Sequence, residues 1–355
     1  MIALRLQQRA APPRAFAVTL PAAAIALTFV LTAGIVLAAG ENPFDAYHEL
    51  LVTPFSSQFR FLEVLVSATP LLFTGAAVAI AFRAGYWNIG AEGQLYCGAI
   101  AAAWLGPHVG AWPGVAALPL LVVAGLVAGA LWALVPALLR VHFGIDEVVT
   151  TLLLNPVALL LVSGLLNGPW RDPVTRFPES RRIAESAQFP QLVERQRLHL
   201  GFVLALVVLA VAWFVLARTP VGLRLRAAGL SPHAARFAGV RVERTLLGTA
   251  LASGAIAGLA GVSEVAGIQY RLTEGLSAGF GYTGIVVATL GGLSMVGVAV
   301  AAFFLGIVDV GAGSASRALD VPSQLGQVIV AVLLLVTVAL LVLRRYRVAR
   351  APEIG

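Results

Sequence analysis

From Ala15 to Ala39 the chain runs about 25 residues without a charged side chain. A helix of that length crosses the ~30 Å hydrocarbon core of a bilayer. Backbone in lipid must satisfy its own hydrogen bonds, so only helices and closed barrels can span. The pattern recurs. Apolar segments near span length cover Phe61–Phe82, Ile89–Leu105, Val115–Leu139, Glu147–Leu166, Leu200–Ala217, Leu246–Ala266 and Leu325–Leu343. Composition agrees: 59% hydrophobic and 12% charged leaves too few charges for a water-facing surface. The expected fold is an all-α polytopic membrane protein, one transmembrane domain over residues 1–355. The first apolar run is too long for the roughly 7–15-residue core of a cleaved signal peptide.

The stretch Tyr282–Val310 is long for one span and short for two. Its middle reads GGLSMVG, a glycine-rich break. Arg344, Arg345, Arg347 and Arg350 follow the last apolar segment, and Arg5, Arg9 and Arg14 precede the first. Positive charge collects on the cytoplasmic side, so both termini are expected there and the number of crossings is even. Splitting the stretch at Gly291–Gly297 gives about ten segments. This orientation puts 15 arginines inside and 9 outside. Six of the nine lie in Gly168–His199, read as an external loop, beside Asp172, Glu179, Glu185 and Glu194.

Several function classes fall away. There is no lysine, so the chain has no Walker A loop and no Schiff-base chemistry. Any nucleotide energy must come from ATP bound to another chain, and no cofactor is expected here. Cys97 is alone, which excludes an intrachain disulfide. The five histidines are scattered without metal-ligand spacing, and no nucleophile–base pair appears. The net charge of +7 fits orientation in a bilayer, and no basic stripe interleaved with aromatics points to nucleic acid.

Polar groups inside apolar segments are the candidate sites, since an ionisable residue at bilayer depth usually faces a cavity or a partner. The first is RAGYWNIGAEGQ, Arg83–Gln94. Its glycines loosen or break a helix, Asn88, Glu92 and Gln94 offer donors and acceptors, and Tyr86 and Trp87 could stack on a base or sugar. It is either part of a substrate route or a cytoplasmic turn with Glu92 capping the next helix. The second is Glu147, Thr151 and Asn155, on one helical face before Pro156. They line a pathway, or Asn155 bonds a neighbouring helix. The third is the region of Glu264, with Arg271 and Glu274 spaced to pair. Gly125/Gly129 and Gly254/Gly258 form two GxxxG motifs for close helix packing.

The longest basic segment with a cytoplasmic assignment is Arg218–Arg244. Ser231 is a candidate N-cap, Pro232 suits the first helical position, and Gly239 suits a left-handed C-terminal cap. The short helix between them needs a partner surface. It is expected to dock through its small face around Ala235.

RAAGLSPHAARFAGV within this segment resembles the coupling segment of ABC importer permeases serving branched-chain amino acids, simple sugars and nucleosides. RAGYWNIGAEGQ and GIDEVVTTLLLN are similar to two further motifs of that family. EVAGIQYRLTEGLSAGFGYTGIVVATLGG resembles its nucleoside branch. The likeness spans about residues 60–343. One departure is Ser294–Met295, where the family pattern has a proline near the turn.

The resemblance implies a transport subunit rather than an enzyme, moving nucleosides across a bacterial inner membrane. It implies that Arg226, Gly229, Ser231, Pro232, Ala234, Ala235, Arg236 and Gly239 engage a separate ATPase chain. It implies a second homologous permease and an extracytoplasmic substrate-binding protein. It also places Tyr86, Trp87, Asn88, Glu92, Gln94, Thr151, Asn155 and Glu264 along the substrate pathway. The polar interruptions in both halves, 83–94 and 267–297, fit inverted repeats. The alternatives are a simple-sugar permease and a stand-alone secondary transporter.

Overall fold

The structure, a computed structural model, describes residues 4–8, 16–173, 175–319, 322 and 324–350. The chain divides into two compact units, residues 55–307 and a smaller unit of residues 1–54 with 308–355. Helices dominate both. They are α1 Phe16–Ala38, α2 Pro43–Leu51, α3 Gln58–Arg83, α4 Ala91–Leu105, α5 Gly114–Phe143, α6 Glu147–Asn167, α7 Leu200–Arg218, α8 Pro220–Leu230, α9 Pro232–Phe237, α10 Val242–Glu264, α11 Phe280–Leu290, α12 Met295–Leu319 and α13 Leu325–Arg345. Seven helices among the described residues are long and apolar enough to cross a membrane, and 280–290 and 325–340 are shorter apolar helices.

The apolar segments expected from sequence are α1, α3 to α7 and α10 to α13. The split of the 282–310 stretch holds: α11 ends at Leu290 and α12 starts at Met295. The turn needs no proline, because Leu293 takes a left-handed conformation (φ 58°) and the Ser294 hydroxyl accepts from Gly297 N–H at 3.0 Å. One boundary differs. α12 continues past Val310 to Leu319, through GAGSASRAL.

In the smaller unit α1 packs against α13. Asn42 caps α2, accepting from Phe44 N–H at 3.0 Å, and Tyr47 donates to the Phe29 carbonyl at 2.5 Å. Strands Leu4–Gln8 and Tyr346–Arg350 pair antiparallel, a short ribbon in an otherwise helical chain. Residues 4–8 and 346–350 therefore lie side by side. Arg9, Arg14 and Ala15 lie outside the described residues.

In the larger unit α3 and α10 form the centre. The apolar window of α3 is almost wholly buried, while α5, α6 and α7 keep most of their surface outward. The two GxxxG motifs pack on each other. A Cβ on Gly129 would sit 2.2 Å from the Gly254 carbonyl oxygen, and one on Gly258 would sit 2.3 Å from that of Gly125. Gly98 of α4 closes on Gly258 in the same way. Only glycine lets three backbones meet here, and lipid supplies no competing hydrophobic force.

The 168–199 loop caps one end of this unit. Phe189 N–H donates to the Ala266 carbonyl (2.8 Å), Ile183 N–H to Tyr270 (2.9 Å), and Ala184 N–H to Gly106 (3.2 Å). Arg171 of the loop donates to the Arg176 carbonyl at 2.7 Å. Arg271 pairs with Glu179 rather than with Glu274, because the loop strand bearing Glu179 bridges to Thr273. Glu274 instead accepts from Asn167 at 3.0 Å. Arg197 pairs with Glu63 at 3.0 Å. His199 caps α7, its Nδ1 accepting from Gly201 N–H at 3.1 Å, with its ring stacked on Phe189. Burial, with Arg197 adding to it, pushes the imidazole down to about 4, so the ring is neutral at pH 7.

Candidate functional site

The chain leaves the helix at Arg83 because Gly85 adopts φ 76°, a left-handed value that glycine takes without strain. Residues 84–90 then turn back along α3. Asn88 Nδ2 donates to the Ser253 hydroxyl (2.9 Å), which donates to the Ala77 carbonyl (2.7 Å). Ala77 lies six residues before Arg83, so the break re-enters the bundle by about 9 Å. α4 therefore starts at depth and is only about 22 Å long.

Freed backbone at that depth has to be satisfied by protein or water. One helix face does most of it. Glu147 accepts from Trp87 N–H (3.2 Å), Thr151 from Ile89 N–H (3.2 Å), and Asn155 from Gly93 N–H (2.9 Å). Asn155 also donates to the Ile89 carbonyl at 2.9 Å. The i, i+4, i+8 stripe on α6 is thus a ladder for the broken segment. Arg140 balances the Glu147 charge at 3.0 Å. Asn88 and Gln94 close the inside: Asn88 donates to Gln94 Oε1 (2.9 Å) and accepts from Gln94 Nε2 (3.1 Å) and Gly90 N–H (2.9 Å).

A second break lies opposite. After a π-helical turn at Val265–Gln269, Tyr270 turns left-handed (φ 58°), and residues 270–279 run non-helical beside α4. The Tyr96 hydroxyl donates to the Glu274 carbonyl (2.9 Å) and accepts from Ser277 N–H (3.3 Å). Ser277 in turn accepts from Gly279 and Phe280 N–H, capping α11. α11 thus also begins at depth, and Gly281 fits directly against the Glu92 backbone.

The two breaks meet at Glu92. Its carboxylate stands in the first turn of α4 and accepts from Gly281 N–H, in the first turn of α11, at 2.6 Å. The Ser277 hydroxyl and Tyr282 N–H face it as well. Two helix N-termini, each a partial positive charge, share one buried acid. Asn155 adds a link by donating to the Tyr282 hydroxyl at 3.2 Å.

The expected pathway residues therefore divide. Asn88, Glu92, Gln94, Thr151 and Asn155 are buried and bonded to protein. Tyr86 is buried, and its hydroxyl has no partner among the described residues. Trp87 is half exposed and leans on Phe82. Glu264 is buried where α10 enters the π-turn, apart from the junction, with Arg197 as a neighbouring charge. Sequence reasoning missed Ser253, Ser277 and Tyr96. Ser253 is hidden among small residues that look like packing, and no local pattern marks it.

The segment 218–244, expected to meet an ATPase, has the caps read from its sequence. The Ser231 hydroxyl accepts from Ala234 N–H at 3.3 Å, and Pro232 opens α9. Gly239 (φ 82°) closes it, with Gly239 N–H on Arg236 and Val240 N–H on Ala235, both at 2.9 Å. The small face, however, points inward. Ala235 is buried with Ala228 and Val242, because α9 uses alanine to lie close on α8 and α10. The outward face carries Phe237, 97% exposed, near Leu230, 86% exposed, with Pro232, His233, Ala234 and Gly239 also open. Arg236 is held to Glu243 at 2.7 Å, and Arg226 is exposed. Gly229 joins this segment to the first break: a Cβ there would stand 2.2 Å from the Arg83 carbonyl oxygen.

Residues 60–338 match the family described as the permease component of the branched-chain amino acid transport system. The chain is similar to the glucose ABC transporter permease protein TsgB13 of Haloferax volcanii, 36% identical over 99% of this chain and 94% of the relative. It is similar to the guanosine ABC transporter permease protein NupP of Bacillus subtilis, 35% identical over 89% of this chain and 91% of the relative. It is also similar to the nucleoside ABC transporter permease protein NupB of Lactococcus lactis, 30% identical over 89% of each. No solved structure matches the chain. With re-entrant breaks, a capped short helix at Pro232–Phe237 and this family match over most of its length, the chain belongs to the branched-chain amino acid transport permease family, as a membrane permease subunit of the ABC type.

Proposed function

We propose that this permease moves nucleosides into the cell. The observation that carries the substrate class is the Glu92–Gly281 contact. Two helix N-termini at depth would attract an anion. Glu92 already stands there, so an amino-acid carboxylate would compete with it for the same N–H groups. A neutral substrate suits the junction. Tyr282 beside it is 40% exposed, with its hydroxyl held by Asn155, and offers a ring face to a base. Two of the relatives above are named for guanosine or nucleosides. Simple sugars are the second reading, supported by the relative named for glucose.

In this proposal a separate ATPase binds ATP and docks on Leu230 and Phe237. Its motion passes through Gly229 to 83–85, then through Asn88 and Glu92 to α11. A second homologous permease completes the pathway, and a binding protein delivers substrate at the 168–199 end. The chain sits in a bacterial inner membrane with both termini cytoplasmic.

Proteoliposomes containing the permeases and their ATPase, supplied with the binding protein, test this. Guanosine uptake should require ATP, and excess glucose or leucine should leave it unchanged. Uptake without ATP or ATPase would overturn the ABC reading. Uptake of glucose but not guanosine would transfer it to sugars. Phe237→Ala should retain ATP hydrolysis and lose most uptake.

A further inference from the structure

A groove of about 1010 Å³ lies between α5, α7 and α10, away from the junction. Its wall is aliphatic, from Leu204 to Leu216 on α7 and from Gly248 to Leu259 on α10, with Val122 and Leu126 of α5. Each of these runs is about 17–18 Å long, one leaflet of a ~30 Å hydrocarbon core. The hydroxyls within it are spent on backbone: Thr249 donates to the Thr245 carbonyl (2.7 Å), and Thr245 to that of Arg241 (3.1 Å).

One end is different. Arg224 of α8 and Arg241 and Arg244 of α10 line the mouth at the α8–α9 side. All three are exposed, and none has a side-chain hydrogen bond or ion pair among the described residues. Among the described residues no acid lines the groove, and nearby Glu243 is turned to Arg236. α10 begins at this mouth without a side-chain cap, adding partial positive charge. Gly248 faces the space, since a Cβ there meets nothing within 4 Å, unlike Gly254 and Gly258 on the packed side of the same helix.

We propose that this groove seats an anionic phospholipid, its acyl chains along α7 and α10 and its phosphate among Arg224, Arg241 and Arg244. An apolar slot one leaflet deep with three free guanidiniums at its mouth complements an anionic amphiphile. The bound lipid would brace α8 and α9 against α7 and α10.

The test uses the full chain, purified in detergent, stripped of lipid and then incubated with one lipid at a time, with bound lipid counted by native mass spectrometry. Phosphatidylglycerol should be retained over phosphatidylcholine of the same chains by about tenfold or more. The combined Arg224→Gln, Arg241→Gln, Arg244→Gln variant should lose that preference. Gly248→Leu fills the slot without touching the arginines and should lower retention of both lipids. Equal retention of the two lipids by the unaltered chain would overturn the proposal. So would full displacement by inorganic phosphate, which would mark a free-phosphate site. A disulfide-linked dimer of Val207→Cys in membranes would overturn it too, by placing a second copy over the groove.

Discussion

The first break, 84–90, and the second, 270–279, are both non-helical backbone inside a helical bundle, yet they are held by different means. Three side chains of α6 and the Asn88–Gln94 pair grip the first, in which Ala84, Tyr86, Asn88 and Gly90 are buried. The second hangs from the backbone of the 168–199 loop at one end and from Tyr96 and Glu92 at the other. Its Glu274, Gly275 and Ala278 face outward. Side chains on a straight helix make a rigid cradle. A strand held mainly at its ends can shift when either end lets go. The first break is therefore the fixed element, joined to α8 through Gly229. The second is the side expected to move during transport.

The largest effect should come from removing the cradle. Asn155→Leu leaves Gly93 N–H and the Ile89 carbonyl buried and unpaired, a loss of about 2–6 kcal/mol. Thermal unfolding of the purified chain should show it, and little folded protein should reach the membrane. A normal melting profile would mean that the first break is not held by α6. Glu92→Gln comes next. It keeps an acceptor for Gly281 N–H but weakens a charge-assisted contact by about 1.4 kcal/mol, or about tenfold. Membrane levels should stay normal while initial uptake falls; unchanged uptake would uncouple the two breaks.

The loop that suspends the second break has a pH-dependent anchor. His199 titrates near 6.5 unfolded and near 4 folded, so the unfolded state binds the extra proton between those values. Its contribution is complete above about pH 6.5 and falls by about 1.4 kcal/mol per unit as pH drops toward 4. Unfolding midpoints measured from pH 7 to 5 should fall for the native chain. They should fall less for His199→Asn, which keeps a capping acceptor without the titration. Parallel curves would remove His199 as the anchor. The smallest effect is Tyr282→Phe, which deletes one half-exposed hydroxyl contact. Stability should change by less than about 1 kcal/mol. Uptake should be altered only slightly, because the ring face remains.

Much of this was legible in the sequence where the physics is local. The capping of α9 by Ser231, Pro232 and Gly239 depends on neighbours a few residues away. So does the turn after Leu290, and the glycine spacings marked close helix contacts before their partners were known. Other features depend on residues far apart in the chain. Asn88 meets Ser253 across 165 positions and Glu92 meets Gly281 across 189. Arg271 is near Glu274 in sequence but pairs with Glu179 because the loop folds over it. Ala235 faces inward because α8 and α10 lie on that side of α9. The sequence alone determined the spans, caps and breaks, since hydropathy, φ preference and hydrogen-bonding capacity belong to individual residues. Only the tertiary structure decided which break answers which acid and which face of α9 is outward, because those choices arise when distant helices pack.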